Sequence, residues 1–120
     1  MSADCIFCKI IKRELDADIV YEDEYAVAFK DINPAAPVHI LIVPREHIPT
    51  IMDVEKSNEK LIGHLHLVAN EVARAFKLGK KGYRLVINCG ADAGQIVFHL
   101  HLHLLGGRPL LQTIAKGRGV

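Results

Sequence analysis

The sequence predicts an α+β fold: a sheet of about five antiparallel strands with one long helix and one short N-terminal helix. Short runs rich in β-branched and aromatic residues recur along the chain between turn residues, which is typical of strands. One segment after the middle instead repeats its apolar residues at helical spacing. At 120 residues and 50% hydrophobic content, the chain is long enough for one core and too short for two. We therefore expect a single domain over residues 1–120.

The first half of the chain predicts one short helix followed by three strands. The helix is expected over 5–12 and the strands over 19–21, 25–30 and 38–43. Turn residues separate the last two of these strands: Asp31, Asn33 and Pro34. Because the connections are short, we expect the three strands to form an antiparallel meander.

The long helix is predicted over residues 57–77. Its apolar positions are spaced three or four residues apart, as on one face of a helix: Leu61, Leu65, Val68, Ala69, Val72 and Phe76. Ser57 is the expected N-cap and Gly79 the expected stop after the C-terminus. Packed on one face of the sheet, this helix would leave the other face or an edge available for a ligand.

Two further strands are expected over 83–88 and 97–105, joined by the glycine-rich loop 89–94. In the second of them, histidines alternate with apolar residues: His99, His101 and His103. Period two places three imidazoles on one strand face and sends the other side chains into the core: Phe98, Leu100, Leu102 and Leu104. Imidazole changes charge near neutral pH, so this face suits nucleophilic, acid–base or metal chemistry. The alternative is a merely polar sheet face, for which Thr, Lys or Gln would serve equally well.

Charge and composition exclude several classes of protein. The 15 basic and 14 acidic residues give a net charge of +1, which argues against a nucleic-acid partner. The sequence contains no apolar run of membrane-spanning length and no signal-peptide pattern at its start, so we expect no membrane association and a cytoplasmic location. Three cysteines, an odd number, fit reduced thiols or metal ligands better than a disulfide framework.

The histidine pattern, followed by Gly106-Gly107-Arg108-Pro109, resembles that of the histidine triad family. The resemblance is strongest to the histidine triad nucleotide-binding proteins that hydrolyse purine nucleoside phosphoramidates. It covers nearly the whole chain, with further matching segments at 6–11, 28–34, 36–44 and 82–88. It implies the histidine triad fold, a homodimer, an AMP-like purine nucleotide ligand, and cleavage of a P–N bond through a nucleotidyl-histidine, with no cofactor required for catalysis.

Two alternative functions stay open at this point. A sister branch of the family uses the same triad to cleave dinucleoside polyphosphates. A nucleotide-binding or zinc-binding regulatory module with incidental hydrolysis is the other.

Four histidines are the candidate catalytic residues. His101, the central ring, is the natural nucleophile, and its other ring nitrogen then needs an acceptor such as a backbone carbonyl. The resemblance implies that His101 takes the nucleotidyl group, that His103 contacts the phosphate and that His39 assists the proton relay. His99, the first ring of the triad, is the fourth candidate.

Candidate substrate-binding residues lie in the glycine-rich loop and in the N-terminal third of the chain. Backbone N–H groups of residues 90–94 and the side chain of Asn88 are expected to donate to the phosphate, and Gly94 to allow close approach of the backbone. The resemblance implies that Gln95 reaches the leaving group and that Asp31 accepts from the ribose hydroxyls. It also implies an apolar slot for the base, which accepts adenine or guanine: Ile6, Phe7, Ile10, Phe29, Ile32 and Leu41. Several of these are equally expected as ordinary core residues.

Ile96 departs from the family pattern. Many members of the branch have Ser there, whose hydroxyl donates to the phosphate, whereas the Ile side chain has no donor. If that serine is needed for efficient turnover, we expect slower or altered activity.

The pair Cys5 and Cys8 predicts a structural zinc site. A redox role is disfavoured, because no strand precedes this pair. His47 and His99 complete a Cys2His2 set of the kind that some bacterial histidine triad proteins show. Reduced thiols without a metal are the alternative.

Overall fold

A computed structural model describes residues 4–111 of the chain. Its α-helices and strands are α1 (Ile6–Ile11), β1 (Ile19–Glu22), β2 (Ala26–Lys30), β3 (Val38–Pro44), α2 (Glu59–Ala75), β4 (Arg84–Val86) and β5 (Leu102–Gly106). The five strands form one antiparallel sheet that carries the long helix α2 and the short helix α1. The predicted α+β class is therefore confirmed.

The strand order places two of the expected site residues next to each other. The order is β1-β2-β3-β5-β4, so the first three strands form the predicted meander and β5 lies between β3 and β4. In the β3–β5 pair, His39 is opposite Leu105 and Leu41 is opposite His103. Since alternate residues face opposite sides of a sheet, His39 and His103 are diagonal neighbours on one face.

The long helix covers the other face of the sheet. The core between them consists mainly of the following buried residues: Ala26, Ala28, Ile40, Ile42, Leu65, Val68, Ala69, Val72, Ala73, Leu100, Leu102 and Leu104. This core gives the sheet a rigid base beneath the histidine-bearing face. Among the helices of residues 4–111, none is long and apolar enough to cross a membrane.

The short helix α1 packs on the histidine-bearing face. It begins after Cys5, whose sulfur accepts a hydrogen bond from the Cys8 N–H at 3.3 Å. Its buried side chains join a second apolar cluster with strand residues of this face: Phe7, Cys8, Ile10, Val27, Phe29, Leu41 and Val43. As a result, α1 forms a wall beside the histidines.

Both expected end signals of the long helix were wrong. A 3-10 turn, Lys56–Asn58, comes first, so the helix begins at Glu59 and its N-cap is Asn58 rather than Ser57. At the other end the left-handed residue is Lys77, with φ of 60°, rather than Gly79.

The physical reason for the early C-terminus is a hydrogen-bonded reversal of the chain. The Leu78 N–H donates to Ala73 O at 2.8 Å and the Lys77 N–H to Arg74 O at 3.0 Å. These two bonds satisfy the last carbonyls of the helix. They also turn Leu78 back into the core, where it is buried.

The histidine strand is shorter than predicted, and its three imidazoles do not lie on one strand. β5 begins only at Leu102, so His103 alone of the three is a strand residue. Before it, the Leu100 N–H bonds the Ile48 carbonyl and the His99 ring bonds the Pro44 carbonyl, which draws this segment away from the ladder. Phe98, expected in the core, is 45% exposed for the same reason.

Candidate active site and metal centre

The ring of His101 is held as a neutral imidazole with one free nitrogen. Its Nδ1 lies 2.8 Å from the carbonyl oxygen of His99, and because a carbonyl only accepts, Nδ1 carries the proton and donates. The ring of Phe7 packs nearly perpendicular to it, with centroids 5.0 Å apart. The unprotonated nitrogen is therefore Nε2, the form required of a nucleophile.

His39 and His103 are joined by a hydrogen bond in which the donor ring and the acceptor ring are defined. The Ala35 N–H donates to Nδ1 of His39 at 3.0 Å, which leaves the proton of the neutral ring on Nε2. That Nε2 lies 2.9 Å from Nδ1 of His103 and donates to it. His103 then carries its own proton on Nε2. The donors in this chain of hydrogen bonds all point the same way, from the Ala35 N–H through His39 to His103. The proton of His103 therefore lies on its outer nitrogen, Nε2.

Burial keeps these imidazoles uncharged. It lowers the pKa of His103 to about 3, and the repulsion that protonated His101 or His39 would exert adds to the effect. Burial also lowers the pKa of His39, against the opposing pull of Asp31. For His101, burial outweighs both the hydrogen bond to the His99 carbonyl and the attraction of Asp31. All three rings are therefore neutral near pH 7.

Asp31 lies beside this pair at the end of β2. One carboxylate oxygen, Oδ1, accepts the Asn33 N–H at 2.8 Å, which closes the turn after the strand. The other, Oδ2, is 3.5 Å from Nε2 of His39. The side chain is 21% exposed, so Oδ2 is within reach of a ligand hydroxyl.

The six apolar residues expected to form the base slot divide into two groups. Four are buried in the cluster between α1 and the sheet: Phe7, Ile10, Phe29 and Leu41. Ile6 and Ile32 are 48% and 88% exposed. The first group therefore forms a packed floor, and only the other two present an apolar surface to solvent.

The glycine-rich loop uses most of its donors internally. The Gly90 N–H bonds Oε1 of Gln95 at 2.8 Å, and the Ala93 and Gly94 N–H groups bond the carbonyls of Gly90 and Ala91. The expected cradle of phosphate-binding N–H groups at Gly90 and Gly94 is therefore not available in this conformation. Gly94 has φ of 96°, which accounts for a glycine there by backbone conformation. Asn88 lies half-buried just after β4.

Gln95 holds the loop together rather than facing a leaving group. It is 4% exposed, and its amide nitrogen donates to the carbonyls of Pro49 at 2.8 Å and Val97 at 3.0 Å. With its oxygen on Gly90, the side chain amide is engaged at both ends. Its contacts tie the loop to the segment that follows β3.

Ile96 is 88% exposed and lies at an apolar cavity of about 420 Å³. The cavity lining also includes Ile6, Pro49 and Phe98, together with Cys5 and His47. The position where a serine would supply a hydroxyl is thus part of an apolar surface.

Cys5, Cys8, His47 and His99 converge to form a closed side-chain cluster. Nδ1 of His99 lies 3.4 Å from Sγ of Cys5, 3.5 Å from Sγ of Cys8 and 3.1 Å from Nδ1 of His47. Sγ of Cys8 is 3.3 Å from Nδ1 of His47. The four ligand atoms all lie within 4.8 Å of one another.

The cluster fits a tetrahedral metal ion. Bonds of about 2.3 Å to sulfur and about 2.05 Å to nitrogen place tetrahedral ligand atoms about 3.3–3.8 Å apart, close to the separations seen here. The Nε2–H of His99 donates to the Pro44 carbonyl at 2.8 Å, which leaves Nδ1 unprotonated towards the cluster. His99 is fully buried, so its ring faces the thiols and not the solvent.

Three groups at the site were missed by sequence reasoning. They are the Pro44 carbonyl, the Ala35 N–H and Arg108, whose guanidinium donates to the Ala35 carbonyl. The two backbone groups carry no sequence signal, because every residue other than proline has the same N–H and carbonyl. Arg108 belongs to the segment Gly106-Gly107-Arg108-Pro109 that follows the triad, so the sequence did contain a signal that pointed to it.

Comparison with known proteins agrees with this arrangement. Residues 12–110 match the family model described as the HIT domain. A purine nucleoside phosphoramidase from Escherichia coli K12 is 48% identical over 115 residues, which cover 96% of this chain and 97% of that protein.

Two solved structures show the same fold. A HIT family hydrolase from Clostridium thermocellum has a TM-score of 0.90 at 55% identity, with 92% of this chain and 96% of that one covered. A histidine triad nucleotide-binding protein from Candida albicans has a TM-score of 0.78 at 29% identity, with 94% and 91% covered.

Proposed function

Because the chain belongs to the HIT family, we propose that it cleaves the P–N bond of purine nucleoside 5′-phosphoramidates through a nucleotidyl group on His101. The observation that carries this proposal is the hydrogen bond from Nδ1 of His101 to the His99 carbonyl, which leaves Nε2 free to attack phosphorus. The name of the E. coli relative supports the P–N bond as the target.

The first step exchanges one P–N bond for another. Nε2 of His101 bonds to phosphorus as the bond from phosphorus to the amine breaks. The hydrogen-bond relay from His39, through its 2.9 Å contact with Nδ1 of His103, keeps the His103 proton on Nε2, where it donates to a phosphoryl oxygen without leaving the ring. The amine leaves as a neutral molecule and takes the proton it needs from solvent water.

The second step is hydrolysis. Water attacks phosphorus, the bond to Nε2 of His101 breaks, and the proton that water loses passes to solvent, which balances the proton taken up by the amine. Both barriers are lower than that of direct attack by water on the phosphoramidate.

The substrate contacts follow from the same face of the sheet. We propose that Oδ2 of Asp31 accepts from the ribose hydroxyls and that the base lies between Ile6 and Ile32 over the packed floor of Phe7 and Phe29. Asn88 is proposed as a further phosphate contact. Since an apolar slot contacts either purine similarly, this arrangement accommodates adenine and guanine.

We propose zinc at the Cys2His2 cluster, in a structural role. Cys5, Cys8, His47 and His99 would hold it, and when bound it cross-links the start of α1 to the segment before β5. Burial raises the pKa of the Cys8 thiol, and a cation beside it would favour the thiolate that ligates a metal. Ligating thiols also support the proposed cytoplasmic location, which is a reducing compartment.

We propose one domain over 1–120; residues 1–3 and 112–120 lie outside the described part.

A comparison of substrates tests the proposed reaction. We expect kcat/KM for adenosine 5′-phosphoramidate to exceed that for diadenosine polyphosphates, because the amine leaves as a neutral molecule, whereas a nucleoside polyphosphate leaves as an anion whose charge the neutral imidazoles do not offset. Product formation is measured by chromatography of released AMP. Faster turnover of the polyphosphate would favour the sister activity instead, and turnover of neither alongside AMP binding would favour a regulatory module.

We also propose that the chain forms a homodimer. In the described sheet β4 pairs on one side only, with β5, and Leu67 on α2 is 63% exposed. An edge strand and an exposed apolar side chain both gain from a partner surface. Sedimentation velocity should give about twice the chain mass of 13.3 kDa. A monomer mass at micromolar concentration would contradict the dimer.

A further inference from the structure

The segment that follows β5 is built to approach the loop between β2 and β3 closely. Gly107 has φ of 95°, and a Cβ there would lie 2.9 Å from Cβ of Pro37. A Cβ on Gly106 would likewise lie 2.9 Å from Cδ1 of Leu78. Only glycine permits this path, and the path brings the next residue, Arg108, against the loop.

Arg108 binds the loop through one backbone carbonyl. Its Nη2 donates to Ala35 O at 2.8 Å, and its Nη1 donates to the Pro109 carbonyl at 2.9 Å. The planar guanidinium is thus held at two points, which fixes where its donors lie. Pro34 and Pro37 lie on either side of Ala35 and Ala36 and have no N–H, so neither can anchor this part of the loop as a backbone donor.

Arg108 holds Ala35, the residue whose N–H determines which ring nitrogen of His39 carries the proton. Ala35 accepts from Arg108 through its carbonyl and donates to Nδ1 of His39 through its N–H, at 3.0 Å. His39 in turn donates to Nδ1 of His103 at 2.9 Å. Four groups therefore form one chain of hydrogen bonds from the guanidinium to the outer nitrogen of His103.

We propose that Arg108 is a positioning residue that keeps His39 in its Nε2–H tautomer and so gives the His39–His103 relay its direction. If the Ala35 N–H moved away, the proton of His39 would be free to occupy Nδ1. Nε2 of His39 would then accept from Nδ1 of His103, and the outer nitrogen of His103 would lose its proton. This inference rests on the proposed hydrolysis only for its catalytic consequence, because the tautomer is a property of the free protein.

The test uses Arg108→Ala and the conservative variant Arg108→Lys, which keeps one donor for the Ala35 carbonyl. Nitrogen-15 NMR of the histidine rings reports the tautomer of His39 directly, with its signals assigned by their loss in His39→Gln. We expect the Nε2–H form in the native protein, a mixture of forms in Arg108→Ala and an intermediate state in Arg108→Lys. Steady-state kinetics should show kcat reduced roughly 10- to 100-fold in Arg108→Ala, with KM little changed.

Arg74→Ala is the matched control. Arg74 is also exposed and donates at 3.0 Å to Glu71 on the surface of α2, which covers the sheet face opposite to that of His39 and His103. It should leave both the tautomer and kcat unchanged. A native tautomer signal in Arg108→Ala would overturn the inference, whatever the kinetics show. If the native protein hydrolyses no phosphoramidate, the proposed function fails and the NMR result still decides the role of Arg108.

Discussion

Replacing His101 with glycine is expected to lower kcat/KM for a purine nucleoside phosphoramidate by roughly 10⁴-fold or more. In the described structure, the unprotonated nitrogen of His39 accepts from the Ala35 N–H, that of His103 accepts from His39 and that of His99 faces the thiol cluster, whereas His101 presents Nε2 for attack. AMP affinity should change little, since Asp31 and the apolar walls are untouched. Kinetics with a phosphoramidate and calorimetric titration with AMP measure the two effects.

A trapped intermediate makes this experiment more specific. Rapid acid-free quenching of the native enzyme should show a mass increase of one nucleotidyl group, and His101→Gly should show none. His66→Gly is the matched control, because that histidine is exposed on α2 and its ring contacts only the Ile62 carbonyl among the described contacts. Undiminished turnover in His101→Gly would remove the proposed nucleophile.

Loss of the metal cluster is expected to have the largest effect on stability. Protein purified without chelator should contain about one zinc per chain, and Cys8→Ser should contain almost none. An ion present at about 1,000 times its Kd contributes about 4 kcal/mol to folding, so we expect Tm to fall by about 15 °C. Elemental analysis and thermal unfolding measure the two quantities.

Cys89→Ser provides the control for this variant. Cys89 is exposed and lies outside the cluster, so its replacement should change neither zinc content nor Tm. Substoichiometric zinc in the native protein, together with three freely titrating thiols, would contradict the site. Because His99 is both a cluster member and the acceptor for the His101 ring, zinc loss should also loosen the nucleophile.

Much of the fold was predictable because its signals are local. The period of the apolar residues predicted five strands and the long helix, and all of these are present in the structure. The element ends were less predictable. Lys77 rather than Gly79 takes the left-handed conformation after the helix, since hydrogen bonds to Ala73 and Arg74 and the burial of Leu78 offset the cost of a left-handed lysine.

The candidate site shows the same division. The need of His101 for a carbonyl acceptor followed from chemistry and the Cys5/Cys8 pair from its spacing, whereas the complete Cys2His2 set was supported by the resemblance to the family. The structural role of Gln95 could not be predicted, because the sequence does not distinguish a buried amide with three hydrogen-bond partners from a solvated one. The strand expected to carry three histidines carries one, since His99 and Leu100 bond to carbonyls outside the ladder.

By itself, the sequence determined which side chains can do chemistry here and which local elements carry them, because residue type and periodicity are written along the chain. Only the tertiary structure decided how the histidines divide their work. His99 faces thiols, His101 presents a free nitrogen, and His39 and His103 share a proton. The physical reason is that a backbone group sets the tautomer of each ring. Such a group, for example the Pro44 carbonyl or the Ala35 N–H, either lies far away along the chain or carries no signal in the sequence.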